Sequence, residues 1–241
     1  MTQKFQESRR VHTSLLATIE KRCLIWLAER LPSAINSDHL TALAGAAMLL
    51  AGICYWNGSP PALVAIVVLL GVNWFGDSLD GTLARVRRHE RPRYGYYVDH
   101  VLDVLSILFI FAGLVLGGHM SLMWGAGFLL AYYLVMIEIA LAAHAVGTFR
   151  ISFWMFGPTE LRILLAVGTL RLLTSDYVTI GGSRYLLFDV GGGVAIVGLL
   201  VAFLSAAVGN TIALYRAEPL PGRDPRTRRM ESESGQLKAE V

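Results

Sequence analysis

Four aspartates stand close together in this chain, at positions 77, 80, 99 and 103, where two very apolar segments meet. Acids are costly next to lipid, so function is to be sought here first. On a helix, Asp77, Asp80 and Ala84 fall at i, i+3 and i+7 and share one face; Asp99 and Asp103 fall at i and i+4 and share another. Two antiparallel neighbouring helices joined by a short loop would point all four carboxylates into one space. Left alone they would repel strongly, and one or two divalent cations would remove the conflict. All-oxygen ligation suits Mg²⁺ or Mn²⁺ and disfavours zinc, for which the sequence holds no Cys/His set. Gly81 costs a helix about 1 kcal/mol relative to alanine. What it gives is room for a ligand near the backbone. Ala84 does the same one turn later, and Gly95 takes the small-residue part at the start of the next helix. Arg85 closes the wall with a guanidinium suited to phosphate. Acid, small and basic residues in this order describe a docking face for a metal-bound phosphate ester.

The elements that must carry these residues are membrane spans. The chain has 241 residues, 54% of them hydrophobic, and a mean hydropathy of +0.53. The expected fold is an all-α integral membrane protein with six transmembrane helices and an N-terminal amphipathic interfacial helix. The amphipathic segment runs from Leu15 to Leu31 and stops at Pro32. The spans are expected near His39–Tyr55, Ala62–Arg85, Gly95–Leu116, Ser121–Val146, Leu161–Leu173 and Leu186–Leu214, with a polar, glycine-bearing link over Thr174–Arg184. Asn36, Ser37 and Asp38 offer capping side chains before the first span. Cys23 and Cys54 lie far apart and read as apolar fillers rather than a disulfide. The polar opening residues give no cleavable signal peptide, so the first span is expected to direct insertion.

Charge sets the expected sidedness. Lys and Arg gather in residues 1–38, between Arg85 and Arg93, around Arg150 and Arg162, and in the tail. The opposite loops hold Arg184, with Arg171 near a helix end. Both termini and the motif loop are therefore expected in the cytoplasm, as in a multi-pass protein of a cytoplasmic or inner membrane. Arg87, Arg88, Arg91 and Arg93 read mainly as signals of that sidedness. Three units follow: a cytoplasmic segment over 1–38, a six-helix catalytic domain over 39–215, and a disordered tail over 216–241. No nucleic-acid-binding motif appears; the expected partners are membrane lipid and a lipid- or alcohol-linked substrate. Glu138 sits mid-span and is read either as functional or as half of an interior pair. His119 and His144 are read as interfacial.

The spacing D-x-x-D-G-x-x-A-R, a short loop, then G-x-x-x-D-x-x-x-D resembles the signature of the CDP-alcohol phosphotransferase (CDP-alcohol phosphatidyltransferase) family. Asp77, Asp80, Gly81, Ala84, Arg85, Gly95, Asp99 and Asp103 occupy its fixed positions. The stretch Asn36 to Thr41 resembles that family's entry to the first span without its proline, and only Thr41 is carried over. The resemblance implies that Asp77, Asp80 and Asp99 hold Mg²⁺ or Mn²⁺, two ions in all. Asp103 would be general base for an acceptor hydroxyl and touch a metal. Thr41, Gly81, Ala84, Arg85 and Gly95 would line the nucleotide site. Gly157 to Glu160 resembles a loop of choline/ethanolamine-type members, and Arg150, Glu160 and Arg162 are acceptor-site candidates. A homodimer is also implied.

Two reaction directions use this motif. CDP-diacylglycerol can give its phosphatidyl group to a polar alcohol, releasing CMP, or a CDP-amino-alcohol can give phosphocholine or phosphoethanolamine to diacylglycerol. Arg150 and Arg162 could serve a phosphorylated acceptor, which favours the phosphatidyl direction. A membrane cation transporter is the rival from another class. It would spread its acids through the membrane depth, whereas these gather at one end.

Overall fold

The computed structural model describes residues 15–145 and 158–218. The polar start over Thr2–Arg10, Arg150 and most of the expected tail lie outside them. Helix α1 (Leu15–Arg30) is followed by α2 (Ser37–Asn57), α3 (Pro60–Val86), α4 (Pro92–Leu116), α5 (Leu122–Ala145) and α6 (Pro158–Leu172). A hairpin of β1 (Tyr177–Ile180) and β2 (Ser183–Leu186) leads into α7 (Leu187–Ala217). Among the described residues, α2, α3, α4, α5 and α7 are long and apolar enough to cross a membrane. These five helices mark the chain as a multi-pass integral membrane protein. α6 is not among them. Its 15 residues rise about 22 Å, against a hydrocarbon core of about 30 Å.

Local chemistry sets the boundaries. The Asn36 side chain accepts from the His39 amide at 3.0 Å, and His39 Nδ1 accepts from the Asn36 amide at 3.3 Å, a reciprocal cap that opens α2. Gly58, at φ 65°, closes it. Proline begins both α3 and α4, where a missing N–H costs nothing.

One expectation about the central pair is corrected. α3 and α4 do not pack as a two-helix unit. Each packs on α2, which stands between them. Small residues permit this. A Cβ on Gly113 of α4 would lie 2.1 Å from the Gly52 carbonyl oxygen of α2, and one on Gly76 of α3 would lie 2.7 Å from Leu40 O. α2 thus touches both partners backbone to backbone.

α1 buries Leu24 and Ala28 against Leu40, Leu79 and Leu83. Its Arg22, Glu29 and Arg30 are exposed. Arg87 ties the same corner together. Its guanidinium donates to Leu31 O at 2.8 Å, to Pro32 O at 3.0 Å and to Ile35 O. Arg91 pairs with Asp38. Two arginines read as sidedness signals are therefore also tethers from the motif loop to the α1–α2 corner. Spacing along one helix cannot show this, because the acceptors are distant carbonyls.

The link over Thr174–Arg184 is ordered as well. Tyr177 pairs with Leu186 and Ile180 with Ser183, across a turn whose Gly181 and Gly182 adopt φ of 58° and 83°. His119, expected at the interface, is 6% exposed, and its Nδ1 lies 3.2 Å from Asp176 Oδ1 just before this hairpin. Glu138 of α5 accepts from Asn210 Nδ2 of α7 at 2.7 Å, an interhelical pin.

Gly113→Val is expected to lower the thermal midpoint of the detergent-purified protein steeply, because no rotamer relieves a clash with backbone. Gly191→Ala, whose Cβ meets nothing within 4 Å, should leave the midpoint unchanged or raise it. Equal midpoints for the two variants would contradict the backbone contact.

Candidate active site

The four aspartates line one cleft. α2 contributes Thr41, Ala44 and Gly45; α3 contributes Asn73, Asp77 and Asp80; α4 contributes Asp99, Leu102, Asp103 and Ser106. The wedge of α2 explains the layout, since its small residues form the floor between the two acid-bearing helices. Asp80 is the buried one, at 8% exposure. Its Oδ2 lies 2.6 Å from Thr41 Oγ1, and the Gly81 amide donates to its Oδ1. Thr41 Oγ1 also lies 2.9 Å from Ser37 O. A hydroxyl has one proton, and the carboxylate is the stronger acceptor.

Asp77 is answered from α6. Arg162 Nη2 donates to Asp77 Oδ2 at 2.6 Å, and Arg162 Nε donates to Asn73 Oδ1 at 2.7 Å. Of the acceptor candidates, Arg162 therefore stands at the cleft. Glu160 is exposed on the first turn of α6, and Arg150 lies outside the described residues. Asp99 is exposed and Asp103 half-buried, one turn apart along α4.

Arg85 is exposed, and its Nη2 donates to Thr82 Oγ1 at 3.3 Å. A Cβ on Gly81 would meet only the Arg85 guanidinium, at 3.6 Å, and one on Gly95 would meet nothing within 4 Å. Protein packing requires neither glycine, in contrast to Gly113. The space beside Gly81 is open toward Arg85, with half-buried Ala84 one turn on.

The donor set is oxygen-rich: four carboxylates, the Thr41 and Ser106 hydroxyls and the Asn73 amide, with no Cys or His on the lining. That chemistry fits a hard divalent cation. Among the described residues, no three Asp, Glu, His or Cys side chains close on a single point. Asp77 turns to Arg162, and Asp80 turns to Thr41.

Two residues at the cleft escape motif reading. Asn73 lies four residues before Asp77 on the same face of α3, and a buried amide within a span is the signal that could have found it. Tyr132 of α5 lies within electrostatic reach of Asp103, Arg162 and Asp77. It stacks through Phe128 to Phe111, with centroid separations of 6.3 and 4.0 Å. Nothing in its spacing marks it, because most residues of α5 are apolar.

A helical membrane protein whose spans gather carboxylates, small residues and arginine at one end has the parts for phosphoester chemistry on lipid. Residues 35–211 match the CDP-alcohol phosphatidyltransferase family, and the chain belongs to it. Over 99 residues, 41% of this chain, it is 33% identical to the archaetidylinositol phosphate synthase of Methanothermobacter thermautotrophicus. The match spans 48% of that relative, just under half its length.

Thr41→Val keeps the shape and removes the hydroxyl beside a buried carboxylate. A loss of about 1–3 kcal/mol in stability is expected, read as a lower thermal midpoint at neutral pH. An unchanged midpoint would show that Thr41 contributes nothing to holding Asp80.

Proposed function

We propose that this protein transfers the phosphatidyl group of CDP-diacylglycerol to a polar alcohol, releasing CMP, with Mg²⁺ or Mn²⁺ bound by Asp77, Asp80, Asp99 and Asp103. The carrying observation is the cleft lined by all four motif aspartates, with Arg162 bonded to one of them, Asp77. A cation beside the acids suits an acceptor-side role, and the relative's name is that of a lipid synthase.

Each residue has a part. Asp103 takes the proton of the acceptor hydroxyl as that oxygen attacks the phosphorus bearing the diacylglycerol. The phosphorus–oxygen bond to CMP breaks, and CMP leaves with the electron pair. Arg85 and the open space at Gly81 and Ala84 hold the nucleotide end, with Gly95 leaving room at the start of α4 and Thr41 orienting Asp80. When bound, the divalent ions would neutralise charge on the two phosphates and improve CMP as a leaving group.

In this reading α6, too short to span the bilayer alone, is the core of a sixth crossing. Arg162 near its start bonds Asp77, while Thr169 near its end bonds Tyr55 close to the opposite end of α2. The termini and the cleft then share the cytoplasmic side, as the distribution of Lys and Arg favours. α1 lies along that surface with Trp26 half-exposed and Arg30 stacked over it. A lipid anchored in the bilayer and a soluble nucleotide can both reach a site at this boundary.

The test is CMP release by the purified protein from CDP-diacylglycerol with Mg²⁺ or Mn²⁺ and a panel of alcohols. CDP-choline and CDP-ethanolamine with diacylglycerol form the reverse set. Asp103→Asn is expected to lower turnover by about 10²–10⁴-fold with an unchanged thermal midpoint. Arg85→Ala should raise the KM for the CDP-lipid more than it lowers kcat. No CMP from any combination would sink the proposal, and CMP only in the reverse set would reassign its direction.

A further inference from the structure

Arg162 is held more tightly than charge neutralisation requires. Its side chain is 13% exposed. Two bonds fix its plane: Nε to Asn73 Oδ1 at 2.7 Å and Nη2 to Asp77 Oδ2 at 2.6 Å. The Asn73 amide is itself locked. Asn73 is 5% exposed, and its Nδ2 donates to the backbone oxygen of Ala44 at 3.0 Å. Only one orientation of the amide meets both partners, with oxygen toward the arginine. The relay therefore runs from the α2 backbone through Asn73 of α3 to Arg162 of α6.

A guanidinium needed only to balance Asp77 would gain nothing from a second anchor at Nε. Its Nη groups could follow the carboxylate by themselves. The anchor removes rotamer freedom that an arginine otherwise keeps. It fixes the guanidinium beside Asp77, one of the four aspartates that line the cleft. In such a cleft a neutral or cationic acceptor has no use for a buried guanidinium. An acceptor carrying an oxyanion does, because the carboxylates would otherwise repel it.

We propose that Asn73 is the positioning residue of an acceptor subsite whose cation is Arg162, and that the alcohol accepted there carries a phosphate group. This rests on the phosphatidyl-transfer reading above. Asn73 does not touch the acceptor; it acts through the arginine.

The experiment is steady-state CMP release by the full-length protein with CDP-diacylglycerol and Mg²⁺. The probe acceptors are inositol 1-phosphate and glycerol 3-phosphate, each beside its unphosphorylated alcohol. Wild type should use at least one phosphorylated probe in preference to the plain alcohol. Asn73→Ala should raise the KM for that probe by about tenfold or more, with the KM for CDP-diacylglycerol changed less than about twofold. Arg162→Ala should do the same, and the double variant should be no worse than Arg162→Ala alone, because the effect of Asn73 runs through Arg162. If Asn73→Ala does not fold, Arg162→Lys, which keeps the charge and loses the bond to Asn73, should show the same selective rise in KM. An unchanged probe KM, an equal loss for both substrates, or a preference for the plain alcohol would overturn the inference alone. Wild-type protein that releases no CMP with any acceptor would overturn the phosphatidyl-transfer reading as well.

Discussion

Negative charge gathered among membrane-spanning helices is the constraint on which the rest of this structure depends. Four carboxylates line one cleft, and one of them, Asp80, is almost wholly buried. A carboxylate out of water needs donors or cations. The fold supplies them from elements far apart in sequence. Thr41 of α2 answers Asp80, and Arg162 of α6 answers Asp77. The assembly of these helices is thus bound up with the need to hold the acids where they stand.

The scaffold meets that need through backbone proximity more than through large side chains. α2 touches α4 at Gly52 and Gly113, and α3 at Gly76, closely enough that a single methyl group would collide with main chain. Interfaces of this kind suit a membrane, where apolar surface alone does not drive helices together and small residues let them approach. They also fix the width of the cleft, because α2 sets the separation of the two acid-bearing helices. Arg87 and Arg91 then bind the loop after the motif to the α1–α2 corner, so that α1 and the motif share one anchorage.

Much of this was legible in the chain. Hydropathy marked the long spans within a few residues, because capping side chains, prolines and glycines sit where the helices begin and end. The spacing of Asp77, Asp80, Asp99 and Asp103 put each pair on one helical face. What periodicity could not give was the partner of each face. α3 and α4 read naturally as a packed pair because they are consecutive, yet the glycines of α2 bring it between them. Asn73, Tyr132 and the carbonyls held by Arg87 were invisible for a related reason: their roles come from tertiary neighbours. The hairpin at 177–186 was missed because a strand of four residues is too short for alternation to stand out beside two apolar helices.

The proposed metal site at these aspartates is open to direct measurement. Mn²⁺ binding to the purified protein, followed by electron paramagnetic resonance as free Mn²⁺ disappears, tests it without reference to turnover. Saturable binding to the wild type is expected, lost in Asp80→Ala and displaced by excess Mg²⁺. Binding of equal affinity and stoichiometry in wild type and Asp80→Ala would contradict it.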